Sequence, residues 1–168
     1  MIRALALLLV GGAVFAAAVT WAAAHLPMDG VAIHVDTHGT VNGYATRPQV
    51  IALFVTIGAV LAGLGVVMVA AVRWLPARLV SVPHKDYWSE PRRVPLLRSM
   101  LVWDVAVLFS LALVGMSYLP VEVTLLTHDP AGHNQVWLPV VVGAMMLGLF
   151  AYIAWMVIGR YRPGADAR

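Results

Sequence analysis

Three side chains with ligand chemistry stand at alternate positions in the first polar stretch of an otherwise apolar chain: His34, Asp36 and His38. In an extended backbone alternate residues share one side, so this spacing aims two imidazoles and a carboxylate the same way. Neutral imidazole with carboxylate suits zinc, copper, nickel or iron(II). A second polar stretch carries His128, Asp129 and His133, and His25 lies just before the first. One reading is therefore a transition-metal site built from His34, Asp36, His38, His128 and His133. Its enzymatic form is a metal-activated water at His34, Asp36 and His38. The competing readings are ordinary hydrogen bonding by polar loop residues and a proton-sensing role, since histidine titrates near the pH of an acidified exterior. No other constellation points to catalysis. Ser110 and Ser117 have no histidine at helical spacing, and no glycine-rich phosphate loop or HExxH is present. The expectation is a protein that is not an enzyme and needs no cofactor, a transition metal being the exception left open.

The elements that must position these residues are membrane helices. Of the 168 residues 61% are hydrophobic and 11% charged, where a soluble domain carries about 25% charged. That much apolar surface requires lipid as its solvent. The absence of cysteine excludes disulfides, thiolate zinc and iron–sulfur clusters. Four apolar runs predict an all-α integral membrane protein, a single domain over 1–168 with four transmembrane helices at about 4–24, 49–72, 99–121 and 137–159. Between them lie outer loops at 25–48 and 122–136, an inner loop at 73–98 and an inner tail at 160–168. The first run reads as a retained helix, being longer than the roughly 7–15 residues of a signal-peptide core. Val31, Ile33 and Val35 alternate with Ala32, His34 and Asp36, a strand period. Gly39 and Asn42-Gly43 supply turn chemistry, so the outer loop reads as a short ordered strand and turn, or a small β-hairpin. Pro48 suits the first turn of the second span. Gly58, Ala59, Ala62 and Gly63 put small side chains on one side of that span, which permits close helix–helix approach in lipid.

The charges set the orientation. Arg3, Arg73, Arg78, Lys85, Arg92, Arg93, Arg98, Arg160, Arg162 and Arg168 fall in the segments read as inner, and Arg47 alone falls outside. The positive-inside rule then places both termini in the cytoplasm and both histidine-bearing loops outside. The net charge of +3 is accounted for by topology, so the partner it implies is the lipid bilayer with its anionic headgroups, and not nucleic acid. Within the spans one acid stands out. Asp104 is a functional suspect by position, but it lies roughly 8 Å inside the predicted start of its span at about 1.5 Å per residue. There, pairing with Arg98, Arg73 or Lys85 is the simpler expectation. In the inner loop, Lys85, Asp86, Tyr87 and Trp88 read as an interfacial anchor, or as a docking point for a cytoplasmic partner.

The outer loop also carries a resemblance. Pro27, then Val31-Ala32-Ile33-His34, Asp36 and Gly39, then Asn42-Gly43-Tyr44 and Arg47 before a span resemble the bacterial domain-of-unknown-function 1648 family. This is the N-terminal domain type of Sdp-type toxin immunity and signalling membrane proteins. His34 and Gly39 fit the family pattern. Val35 stands where an aromatic is usual, Asp36 where asparagine is, and Arg47 where lysine is. Pro83-His84-Lys85-Asp86-Tyr87-Trp88 is similar to an inner segment of longer members. The likeness covers residues 1–70 and, by the short motif, 81–93. It implies an immunity- or sensor-like membrane protein that recognises an extracytoplasmic peptide or small molecule through 31–47, with His34, Asp36, His38, Gly39, Asn42, Tyr44 and Arg47 as the contacting residues. The alternatives are a metal- or proton-linked membrane protein using the outer histidines, and a structural subunit that packs on a membrane-protein partner or on a second copy of itself.

Overall fold

The computed structural model describes residues 1–36, 40–76, 79–130 and 137–163. Its elements run α1 (Ile2–His25), β1 (Val31–Val35), β2 (Val41–Ala45), α2 (Arg47–Trp74), α3 (Lys85–Trp88), α4 (Val94–Met116), α5 (Tyr118–His128) and α6 (Trp137–Trp155), the last continued by a π-helical turn over Met156–Arg160. Four helical stretches are long and apolar enough to cross a membrane: Ile2–His25, Arg47–Trp74, Val94–His128 and Trp137–Arg160. The chain is thus a multi-pass membrane protein with four helical spans and one two-stranded antiparallel sheet.

Helices α1, α2 and α4 form the packed unit. On α1 the buried residues are Ala4, Leu8, Gly11, Phe15, Val19 and Ala22, a single stripe at three- and four-residue spacing. Small residues let its neighbours approach closely. A Cβ on Gly11 would stand 3.0 Å from the Ser110 backbone of α4, and a Cβ on Gly58 of α2 would stand 2.5 Å from the Phe15 ring. Gly58 is therefore a socket for Phe15 inside the molecule, while Gly63 faces open space. The small-residue side of α2 is divided between an internal and an external role. Helix α6 is different in kind. It packs on α4, and none of its residues is buried.

The third helical stretch differs from expectation at both ends. It begins at Val94, because Pro95 fits a first helical turn, where a missing N–H has no partner to lose. It also continues past 121: residues 122–128, expected in an outer loop, are the second half of α5. The full stretch of 35 residues is about 52 Å long at about 1.5 Å per residue, against a hydrocarbon core of about 30 Å. The helix is interrupted at Ser117, three residues before Pro120. Pro120, Glu122, Thr124 and Leu126 are all buried along it. Such alternation on a helix means two covered stripes, 120/124 and 122/126. Helix α5 has two neighbours to cover them, α1 and β1.

At the opposite end of the bundle Tyr161, just after the π-helical turn, meets α3. Trp88 is buried against Tyr161, ring edge to ring face, and its indole N–H donates to the Tyr161 carbonyl at 2.9 Å. Lys85-Asp86-Tyr87-Trp88 therefore does not present Trp88 to lipid headgroups or to a partner. That indole closes the terminal end of the molecule, while the Tyr87 ring lies under the Arg93 guanidinium, 3.7 Å away.

Candidate functional site

The hairpin is built from two strands paired antiparallel with two compensating irregularities. The partners are Val31↔Ala45, Ala32↔Tyr44, His34↔Gly43 and Val35↔Val41. Ile33 is the extra residue on β1 and Asn42 the extra residue on β2, which is the signature of β-bulges. The bulges replace the strict alternation predicted from sequence. Val31 and Ala32 are both buried, whereas Ile33 and His34 are both exposed. Asn42-Gly43, expected as a turn, lies inside β2. Glycine is needed there for space: a Cβ at 43 would stand 2.7 Å from the His34 Cβ.

Most of the polar groups singled out in this loop are engaged within the fold. The Asp36 carboxylate accepts the Thr40 N–H at 2.9 Å, and the Asp36 N–H donates to the Thr40 carbonyl at 2.9 Å, an Asx-type closure of the loop end. The His34 Nδ1 pairs with the Asn42 side-chain oxygen. Arg47 reaches back across the bundle. Its guanidinium donates to the Ala23 and Leu26 carbonyls at 3.3 and 3.2 Å and contacts the Met28 sulfur. The carbonyls at a helix C-terminus lack partners and carry the negative end of its dipole, so Arg47 caps α1. Thr46, whose N–H donates to the Gln49 side chain at 3.0 Å, starts α2 at the same point. The Ala32 N–H donates to Thr127 Oγ1 of α5 at 3.1 Å. The hairpin is thereby fixed to α1, α2 and α5 at once. Ile33 and Tyr44 are left projecting, 50% and 62% exposed.

The other histidines are local. His25 and His128 each use Nδ1 on the carbonyl four residues earlier, Trp21 and Thr124, at 2.8 Å, and the His25 ring stacks on Trp21. Among the described residues no three His, Asp or Glu side chains converge as a metal would require. His38, Gly39 and His133 lie outside the described residues.

A second polar cluster sits within the bundle, and Asp104 is its centre. The residue is completely buried, and none of the partners expected for it, Arg98, Arg73 or Lys85, holds it. Tyr152 donates to Oδ1 at 2.8 Å and Tyr161 to Oδ2 at 2.6 Å. The Arg160 Nε straddles both oxygens, 2.8 Å from Oδ1 and 3.0 Å from Oδ2. The π-helical turn after α6 brings Arg160 and Tyr161 to the carboxylate. Burial first, and then donation to Asp104, raise the Tyr161 phenol above its ordinary range, so it stays protonated as a donor. The sequence signal for this pairing is the eight-residue spacing of Tyr152 and Arg160, which puts both on one side of a helix. With both carboxylate oxygens accepting hydrogen bonds and a guanidinium beside them, the cluster reads as a satisfied ion pair that pins α6 to α4.

No protein-family model, curated protein or solved structure matches the chain.

Proposed function

We propose that this chain is a non-enzymatic bacterial plasma-membrane protein that holds the 31–47 hairpin on the extracytoplasmic side to recognise a peptide or small molecule. The observation that carries the reading is a firmly anchored hairpin with exposed Ile33 and Tyr44 side chains. A solvent-exposed loop gains nothing for its own stability from large projecting apolar groups, whereas a recognition surface uses them as anchors. Exposed His34 and Asn42 beside them add hydrogen-bonding groups. Asp36 and Arg47 then serve to hold the surface in place. The likeness to an immunity- and sensor-type family points the same way. So does the charge asymmetry, with Arg47 at the hairpin end and the other described cations toward the terminal end.

The test is a photo-crosslinking residue at position 44 in intact cells, with position 64 as a control. Leu64 is an exposed apolar residue of α2. The reading predicts a discrete extracytoplasmic adduct from position 44, none from position 64, and loss of the adduct in an Ile33→Ser background. An adduct indifferent to Ile33→Ser, or none at all, contradicts it.

One observation supports a second reading, a subunit of a membrane assembly. The Trp137–Arg160 span has none of its apolar window buried, and Gly143 and Gly148 face open space, as a helix awaiting another helix would. Gly143→Leu and Gly148→Leu should then shift the oligomer distribution in mild detergent. An unchanged distribution removes this reading.

A further inference from the structure

The terminal end of the bundle contains a cavity of about 760 Å³ between α1, α2 and α4. Three guanidinium groups line it, one from each helix: Arg3, Arg73 and Arg98, with Ser99 beside them. Among the described residues no carboxylate is paired with any of these three. Arg98 spends one N–H on the Leu75 carbonyl at 3.2 Å, capping α2 much as Arg47 caps α1. Its Nε is buried without a hydrogen-bond partner, which costs free energy until an acceptor arrives. Arg73 donates to the Met1 sulfur, 2.9 Å away, a weak acceptor. Three like charges around one cavity, one of them with an orphaned buried donor, are a site for a multiply charged oxyanion.

A separate apolar groove lies farther along α1 and α2. On α1, Leu5, Leu9, Gly12 and Ala16 lie on the stripe that begins at Ile2, which itself lines the cavity. On α2, Ala62 and Val66 lie on the stripe that ends at Arg73. These residues enclose about 550 Å³ between the two helices, and Gly12 leaves its floor open.

We infer that this is a phospholipid site. The phosphate of an anionic lipid headgroup sits among Arg3, Arg73 and Arg98, and an acyl chain lies along the α1–α2 groove. The proposal rests on residues distinct from the hairpin and stands whether or not the hairpin recognises a ligand.

The test uses the full chain, delipidated in a neutral detergent and titrated with phosphatidic acid, phosphatidylcholine or inorganic phosphate, with bound species counted by native mass spectrometry. Phosphatidic acid should bind well ahead of phosphatidylcholine. Arg3→Gln with Arg73→Gln should weaken it by about thirtyfold, while Arg92→Gln with Arg162→Gln, an equal change in net charge at exposed positions, should leave it unchanged. Gly12→Ile puts a branched side chain into the groove, at a position where a Cβ meets no atom within 4 Å. It should weaken the lipid and not inorganic phosphate, which separates a lipid from a free anion. Equal losses in the two double variants, or inorganic phosphate displacing the lipid at comparable concentration, would overturn the proposal.

Discussion

Replacing Asp104 with asparagine tests how α6 is held. The substitution keeps the shape of the side chain and removes its charge, leaving the Arg160 guanidinium beside a neutral amide. Breaking one partner out of a buried ion pair costs about 3–5 kcal/mol. Here the Asp104 side chain is 1% exposed and that of Arg160 is 22% exposed, so the stranded cation can still reach water, and the lower end of about 3 kcal/mol applies. Removing both charges together, as Asp104→Asn with Arg160→Met, strands no charge and keeps an amide oxygen as an acceptor for the phenols; it should recover much of the loss, giving a coupling energy of about 2–3 kcal/mol in a double-mutant cycle. The damage should also be local. Because no α6 residue is buried and its tie to the bundle runs through Tyr152, Arg160 and Tyr161, amide exchange should accelerate across 137–163 before it does in α1 or α2. The assay is reversible unfolding in mixed micelles followed by far-ultraviolet circular dichroism, together with hydrogen exchange read by mass spectrometry. A change under about 0.5 kcal/mol, with no coupling and no selective exchange in α6, would refute the reasoning.

Two further predictions concern how the elements are joined. Arg47→Met strips the α1 C-terminal carbonyls of their donor; unfolding in micelles should show a loss of about 1.5–3 kcal/mol, with faster exchange in the last turn of α1 and in the hairpin. Gly58→Ala drives a methyl group into the Phe15 ring and should cost about 1–3 kcal/mol, whereas Gly63→Ala points into open space and should stay within about 0.5 kcal/mol in the same unfolding assay.

Hydropathy alone located the four spans, because lipid demands long runs of apolar residues with their backbone bonds made internally. Local patterning went less far. The hairpin was legible from Val31, Ile33 and Val35, but its bulges were not, since the steric need for Gly43 comes from His34 across the pair. Helix α5 was hidden because Glu122, His128 and Asp129 read as loop composition. Its helicity follows from packing between α1 and β1, a tertiary cause. Asp104 was recognised as the one intramembrane acid, yet its partners lie about 50 residues on in sequence, beyond any spacing rule. Trp88 looked interfacial by type, and only the return of the chain at Tyr161 buries it. The arginines of the terminal cavity were counted for orientation, but sequence separates Arg3, Arg73 and Arg98 too widely to show that they face one space.

Extracytoplasmic recognition requires the hairpin to stand outside the membrane and the terminal end inside. The chain has no cysteine, so single substitutions report position directly. Tyr44→Cys and Leu79→Cys both fall at exposed side chains, one at each end. In intact cells a membrane-impermeant maleimide should label the Tyr44→Cys protein at once and the Leu79→Cys protein only after permeabilisation. The reverse pattern would place the hairpin in the cytoplasm and contradict the proposed extracytoplasmic recognition.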